Sequence, residues 1–305
     1  MTLEQLLDRK KASRIFFVAV LLLVIVLLGV RYFVIPRFAP TLSQGGLPLI
    51  AKILEDASTT MVVTVLIAAF LKWVDPFRSK VLGLAMVDPW EVKTYFADAL
   101  NSSNKWSFAG GCGRYFRSAV LREMQKRARS SSTSKSVEAI ILNPENTLLC
   151  ERHARYRSGT LRGEREGNWT TERVKQELLA TVLISKRVAS TATLLDVDIY
   201  VVDHFSSFRV DLAETCAIET REDPTAPALK CDSGSYYYTA LNNEYRLLRE
   251  QSRPIVGGEA ECAAVSDLAS LKTALSAVGL SGHGLSDEDL APVLTLLRKP
   301  GTPYE

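Results

Sequence analysis

The stretch LLDVDIYVV, residues 194–202, decides the fold class. It is rich in β-branched and aromatic side chains, and its nearly continuous apolar character suits a strand covered on both faces. Working back from it, residues 137–142 (VEAIIL) read as a second buried strand and residues 105–109 (KWSFA) as a third. Helical patterns fill the gaps. Apolar residues at 116, 120, 121 and 124 mark one helix over 114–129, and 145–157 and 171–190 pass the same test. Residues 88–91 (DPWE) place an acid, a proline and a glutamate at N-cap, N1 and N3, which predicts a helix from there to about Asn101. After residue 202 come shorter strand-like runs at 207–212 and 215–220, then helices over 236–251, 264–278 and 287–298. Ser286 and Asp289 cap the last of these. Strands alternating with helices predict an α/β sandwich with a partly parallel sheet.

The chain has 305 residues, 47% hydrophobic and 23% charged, with a net charge of +3. That charge is unevenly placed. Residues 1–74 hold 8 Lys/Arg against 4 Asp/Glu (8 − 4 = +4), leaving 29 against 30 (−1) for the remainder. A dedicated DNA-coating domain would normally be basic, so the larger part of the chain does not fit that class. Five cysteines, at 112, 150, 216, 231 and 262, form no C-x-x-C pair and match no zinc pattern. They read as reduced thiols, and neither a metal nor a cofactor is expected.

Residues 15–30 carry no charge, and 15–35 give a 21-residue stretch of the length that crosses a bilayer. Residues 57–71 form a second, shorter apolar run, which extends to 50–74 with Lys52 and Asp56 at its outer end and Trp73 as an interfacial anchor. Arg31 would snorkel at the end of the first span. Seven flanking Lys/Arg against three in the loop put both termini in the cytoplasm. The expected organisation is a cytoplasmic N-terminus (1–14), a first transmembrane helix (15–35), an external loop (36–49), a second transmembrane helix (50–74) and a cytoplasmic α/β domain (75–305). Two helices cannot enclose an aqueous path, so action on a lipid bilayer would need a homo-oligomer.

Chemistry-bearing residues are sparse. The turn 110–113 (GGCG) joins a strand to a helix start, where backbone N–H groups can hold an anion. It lacks the Gly-Lys-Ser/Thr of a Walker loop, and Phe116 occupies the third glycine position of G-x-G-x-x-G. Gly111, Gly113, Arg114 and Arg117 are therefore candidate ligands for a phosphate, as in a nucleotide-sensing receptor. The run 152–166 (RHARYRSGTLRGERE) reads as a solvated helix end and loop. Tyr156 and Trp169 interleaved with arginines also fit direct nucleic-acid contact. His204 directly follows the central strand, where α/β folds place ligands.

His204, Ser206 and Asp211 have the spacing of the H-x-K-x-x-x-x-D motif of the phospholipase D superfamily, with Ser in place of Lys. Neither His153 nor His283 completes a second copy, since Thr160 and Leu290 stand at the matching eighth positions. The chain thus resembles a degenerate phospholipase D-like domain without catalytic residues, the alternative being a membrane-anchored phosphodiester hydrolase acting through His204. The hairpin-plus-domain organisation resembles the two-helix membrane effectors of retron-type anti-phage systems in bacteria. That resemblance implies an inner-membrane effector of abortive infection, held inactive by a reverse transcriptase with its RNA–DNA product.

Overall fold

The computed structural model describes residues 83–298 apart from 168, 222, 224, 282 and 283, together with scattered helical positions between 25 and 69. The chain divides into two compact units, residues 1–81 and 82–305. In the first, Lys52 and Asp56 are exposed helical residues, and Thr60 and Thr64 each donate a hydroxyl to the carbonyl four residues back. Arg31 and Trp73, and most of residues 15–35, lie outside the described residues. Among the described residues no helix is long and apolar enough to cross a membrane. This corrects the expected transmembrane hairpin and the inner-membrane localisation drawn from it.

The second unit is an eight-stranded mixed sheet with nine α-helices among the described residues. In chain order these are β1 (Leu84–Val87), α1 (Val92–Ser102), β2 (Lys105–Ala109), a π-helical turn (Phe116–Val120), α2 (Leu121–Ser131), β3 (Lys135–Leu142), α3 (Thr147–Ser158), α4 (Leu161–Glu166), α5 (Thr171–Thr191), β4 (Leu195–Val202), β5 (Phe208–Ala213), β6 (Cys216–Arg221), β7 (Ala228–Asp232), α6 (Tyr236–Glu250), β8 (Arg253–Pro254), α7 (Glu259–Ala263), α8 (Leu268–Ala277) and α9 (Asp287–Arg298). The strand order is β1-β7-β6-β5-β2-β3-β4-β8. β2, β3 and β4 are parallel, with β3 and β4 in register from Lys135↔Leu195 to Leu142↔Val202; every other pairing is antiparallel.

Alternation along the strands separates two cores. Trp106, Val137, Ile141, Val197 and Val201 face the layer built by α1, α2, α3, α5, α8 and α9. Ile140, Val202, Leu212 and Cys231 face the other side, where Tyr238, Leu241, Tyr245 and Leu248 of α6 cover them. On that side Tyr245 Oη donates to Glu138, while Lys105 and Arg249 each stand 3.4 Å from the same carboxylate. α5 is the central helix: an unbroken run from Leu178 to Lys186 is buried, and Thr170 caps its start by accepting from Arg173 N. Of the three consecutive tyrosines, Tyr238 turns inward and donates to Ala213 O, while Tyr236 is exposed.

Several helices begin later than the sequence predicts: the one expected from 145 starts at Thr147, and the one expected from 264 starts at Leu268. Residues 88–91 form a turn, with Glu91 N donating to Asp88 O, and α1 starts at Val92. Strands β1, β7 and β8 go beyond the sequence pattern, as do α4 and α7. The 114–129 helix is wound in two parts, a π-helical turn and then α2.

Asp211 lies on β5 with its carboxylate buried, accepting from Trp106 Nε1 at 3.0 Å. Burial pushes its pKa up to about 7, against the pull of the Trp106 hydrogen bond and Arg209. The unfolded chain releases that proton near pH ~4. Because the folded value is the higher one, the stabilising effect of the protonated group is complete below about pH 4 and is lost as pH rises through about 7. Asp211→Asn keeps the acceptor for Trp106 without the ionisation. Urea unfolding should show the variant gaining of order 2 kcal/mol relative to wild type between about pH 4 and 7. Parallel pH dependences would contradict this assignment.

Candidate anion site

The carboxyl ends of β2, β3 and β4 share one rim of the sheet, the place where ligands bind in open α/β sheets. The loops 110–113, 143–146 and 203–207 leave from it, and β5 begins there because it runs antiparallel to β2. Asn143 Nδ2 and Asn146 Nδ2 both donate to Asp203 Oδ1, tying two of these loops together. Asn146 also caps α3 by accepting from Leu149 N.

Loop 110–113 is buried and closely packed. Gly113 has φ +67°, and a Cβ there would meet Thr181 Cγ2 at 3.0 Å and Ile141 Cγ2 at 3.2 Å. Gly111 O accepts from Leu142 N, and Cys112 O accepts from Thr181 Oγ1 at 2.7 Å. Two of the four candidate ligands from the sequence, Gly111 and Gly113, thus serve the packing of this loop against β3 and α5. Arg117 is 3% exposed. It donates through Nη1 to Glu177 O and Thr181 Oγ1, and through Nη2 to the Glu177 carboxylate. Its role is to bind the π-helical turn to α5. Arg114 is partly exposed and pairs with Glu166 at 2.8 Å and Glu177 at 3.5 Å.

Residues from other elements complete the cluster. Arg157 of α3 pairs with Glu166 at 3.3 Å, and Arg209 of β5 stands close enough to disfavour charge on both His153 and Arg157. The guanidinium groups of Arg114, Arg157 and Arg173 lie 5.5, 4.6 and 4.5 Å from the centre of the Trp169 ring, within cation–π range. Arg173 also borders an open cleft of about 860 Å³, where Glu172, Gln176, Glu288 and Asp289 contribute polar groups.

Among the described residues Glu177 thus serves Arg114 and Arg117, and Glu166 serves Arg114 and Arg157. The buried Nε groups of Arg114, Arg117 and Arg209 and the Trp169 indole N–H have no hydrogen-bond partner among the described residues. Burial lowers the Arg157 pKa; Glu166 opposes this, while Arg114 and Arg209 add to it. Cys112 is an inert thiol, pushed up to about 12 by burial and next by Glu177.

The phospholipase-type residues do not converge. His204 is exposed on loop 203–207, Ser206 Oγ accepts from Phe208 N, and Asp211 is committed to Trp106. Trp169 and Tyr156 also have internal roles, the first beneath the guanidinium groups and the second edge-on to Phe205 at 5.3 Å. Sequence reasoning treated 152–166 as a solvated face and missed Arg157, Arg209, Glu166 and Glu177. One signal was present. Cys150, His153, Ala154 and Arg157 repeat at i, i+3, i+4 and i+7, and that is the stripe α3 buries.

No family model matches the chain, and no curated protein matches it. Among solved structures it is similar to TrmBL2, an archaeal chromatin protein with a novel mode of DNA binding. The identity is 8%, over 67% of this chain and 69% of that one, with a TM-score of 0.31, and a likeness of that size carries no argument about fold or function. With no matching family and no membrane-crossing helix among the described residues, the resemblance to retron-type effectors is corrected, and the membrane and defence roles drawn from it go with it. The phospholipase D-like resemblance is corrected by the separation of His204 from Asp211.

Glu177 serves both Arg114 and Arg117, so removing its charge costs more than removing one of the two cations. Glu177→Gln should lower the urea-unfolding free energy by about 3–5 kcal/mol, as expected when one member of a buried pair is removed. Arg114→Met should cost less than half of that. The reverse order would contradict this ranking.

Proposed function

We propose that residues 82–305 form a receptor for a small phosphate-bearing ligand of the nucleotide class, held at the rim of the parallel strands. The observation that carries this reading is the group of buried donors without a hydrogen-bond partner among the described residues, the Nε groups of Arg114, Arg117 and Arg209 and the Trp169 indole N–H. Buried donors without an acceptor are costly, and an oxyanion supplies acceptors for them. Guanidinium groups are the usual choice for such oxygens because their N–H groups form a planar fork. The adjoining cleft beside Arg173 offers Gln176, Glu172 and Asp289, polar groups suited to the hydroxyls and amines of a ribose and base. The reading is one of binding, and the thiol beside the cluster, Cys112, is pushed up to about 12 by burial.

Isothermal titration of the full chain with inorganic phosphate, a nucleoside monophosphate and a cyclic dinucleotide tests it. One nucleotide should bind at least about tenfold tighter than phosphate, a difference of about 1.4 kcal/mol. Arg114→Ala should weaken that binding while leaving the circular dichroism spectrum intact. Absence of binding by every probe at millimolar concentration would overturn the proposal.

A further inference from the structure

Among the described residues, the first half of β4 is paired on one side only. β3 lies against it from Leu195 to Val202, whereas β8 reaches only Tyr200 and Val201. Ile255 N then donates once more, to Ile199 O. Gly257 and Gly258 follow with φ +75° and +77°, a conformation that suits glycine, and turn the chain off the edge into α7. An open groove of about 380 Å³ remains along this stretch. Asp196, Val197 and Asp198 of β4 line one side of it, and Val256 and Glu259 the other. It lies toward the start of β4, away from the rim where loop 203–207 leaves the sheet.

Strand alternation sets the backbone in the groove. Lys135 N donates to Leu194 O and Asn143 N to Val202 O, so the even-numbered residues of β4 turn their backbone groups to β3. Ile199 O, which accepts from Ile255 N, faces the other way. Val197 therefore turns its N–H and C=O into the groove, where no strand among the described residues meets them. Leu195 O points the same way, while Leu195 N donates to Ala192 O. Such an open ladder is a template for another extended segment.

The side chains indicate which segment fits. Asp196 and Asp198 are exposed on the sheet face that α6 covers further along, and Val197 and Ile199 are buried on the opposite face. Nearby cations are engaged elsewhere: Lys186 pairs with Glu259 at 2.8 Å, and Lys105 and Arg249 each stand 3.4 Å from Glu138. Asp198 is level with Glu138 across the β3–β4 ladder. Burial first, then Asp196 and Glu138, raise its pKa against the pull of Lys186 and Arg249. A second copy of β4 would bring the same acids opposite these, and like charges facing each other across a ladder are destabilising.

We infer that this groove takes an extended segment of a partner protein, added beside β4 in continuation of β8, with Lys or Arg at two alternate positions facing Asp196 and Asp198. Main-chain bonds to Val197 and Leu195 O fix its course, as in β-strand addition generally. Side chains on one strand face recur at every second position, so the two acids read a pair of cations spaced i, i+2. Val256, 74% exposed, gives the groove an apolar margin.

The probe is a synthetic peptide capped at both ends, Thr-Val-Lys-Val-Lys-Val-Thr, titrated into the full chain by calorimetry. Binding should weaken at least about fivefold when both lysines are replaced by glutamate. Methylating the backbone nitrogen of the central valine keeps every charge but removes the donor to Val197 O, and should weaken binding at least about tenfold. Asp196→Lys combined with Asp198→Lys should reverse the preference in favour of the glutamate peptide; both side chains are exposed, so the fold is kept. Asp98→Lys, on α1, should bind as wild type. The Val197 amide should exchange with deuterium more slowly once the lysine peptide is bound. A lysine peptide that fails to bind at millimolar concentration, binds no better than the glutamate peptide, or keeps its affinity when methylated would overturn the inference. A Val197 amide already protected without peptide would overturn it too, the groove then being filled by this chain or a second copy.

Discussion

Arg117 and Glu177 form an ion pair in the interior, and burial leaves neither a way to exist alone. Two charges removed from water hold their place only when geometry and further hydrogen bonds repay the desolvation. Here they do: Arg117 also reaches Glu177 O and Thr181 Oγ1, and Thr181 in turn donates to Cys112 O. The pair thereby joins the first crossover of the parallel sheet to the start of α5, the helix that returns the chain to β4. Loop 110–113 is fixed by the same contacts, and the rim where three strands end is assembled around them. Everything else in the cluster takes its position from this join, including Arg114, which shares Glu177.

The sharing of acids among cations follows from that arrangement. Glu177 is divided between Arg114 and Arg117, and Glu166 between Arg114 and Arg157, so each acid already serves two cations. Arg209 enters from β5, and its Nη2 donates to Arg221 O. Three guanidinium groups spread their charge over the Trp169 face, but a ring quadrupole is a weak substitute for a counter-ion.

The sheet was legible in the sequence where strands are long and covered on both faces. β2, β3 and β4 fall where residues 105–109, 137–142 and 194–202 place them, because β-branched runs bounded by turns have few other readings. β1 is four residues long at a sheet edge, β8 is two, and β7 carries Lys230 and Asp232 on a half-buried surface, so none has a pattern to detect. The site was legible only at Arg114 and Arg117, which adjoin the glycine turn. Arg157, Trp169, Glu177 and Arg209 come from α3, the segment before α5, α5 itself and β5, and only tertiary packing brings them together. The motif at His204 failed for a physical reason: β5 turns Asp211 inward to Trp106 while the preceding loop leaves His204 in solvent.

The central claim is that an oxyanion completes this cluster, and anomalous diffraction tests it most directly. Crystals soaked in selenate, a heavier analogue of sulfate, would reveal bound anion without any assumption about the natural ligand. The account predicts an anomalous peak at the rim of the parallel strands, beside the guanidinium groups of Arg114 and Arg209. Selenate confined to exposed lysines and arginines, with the rim empty, would contradict it.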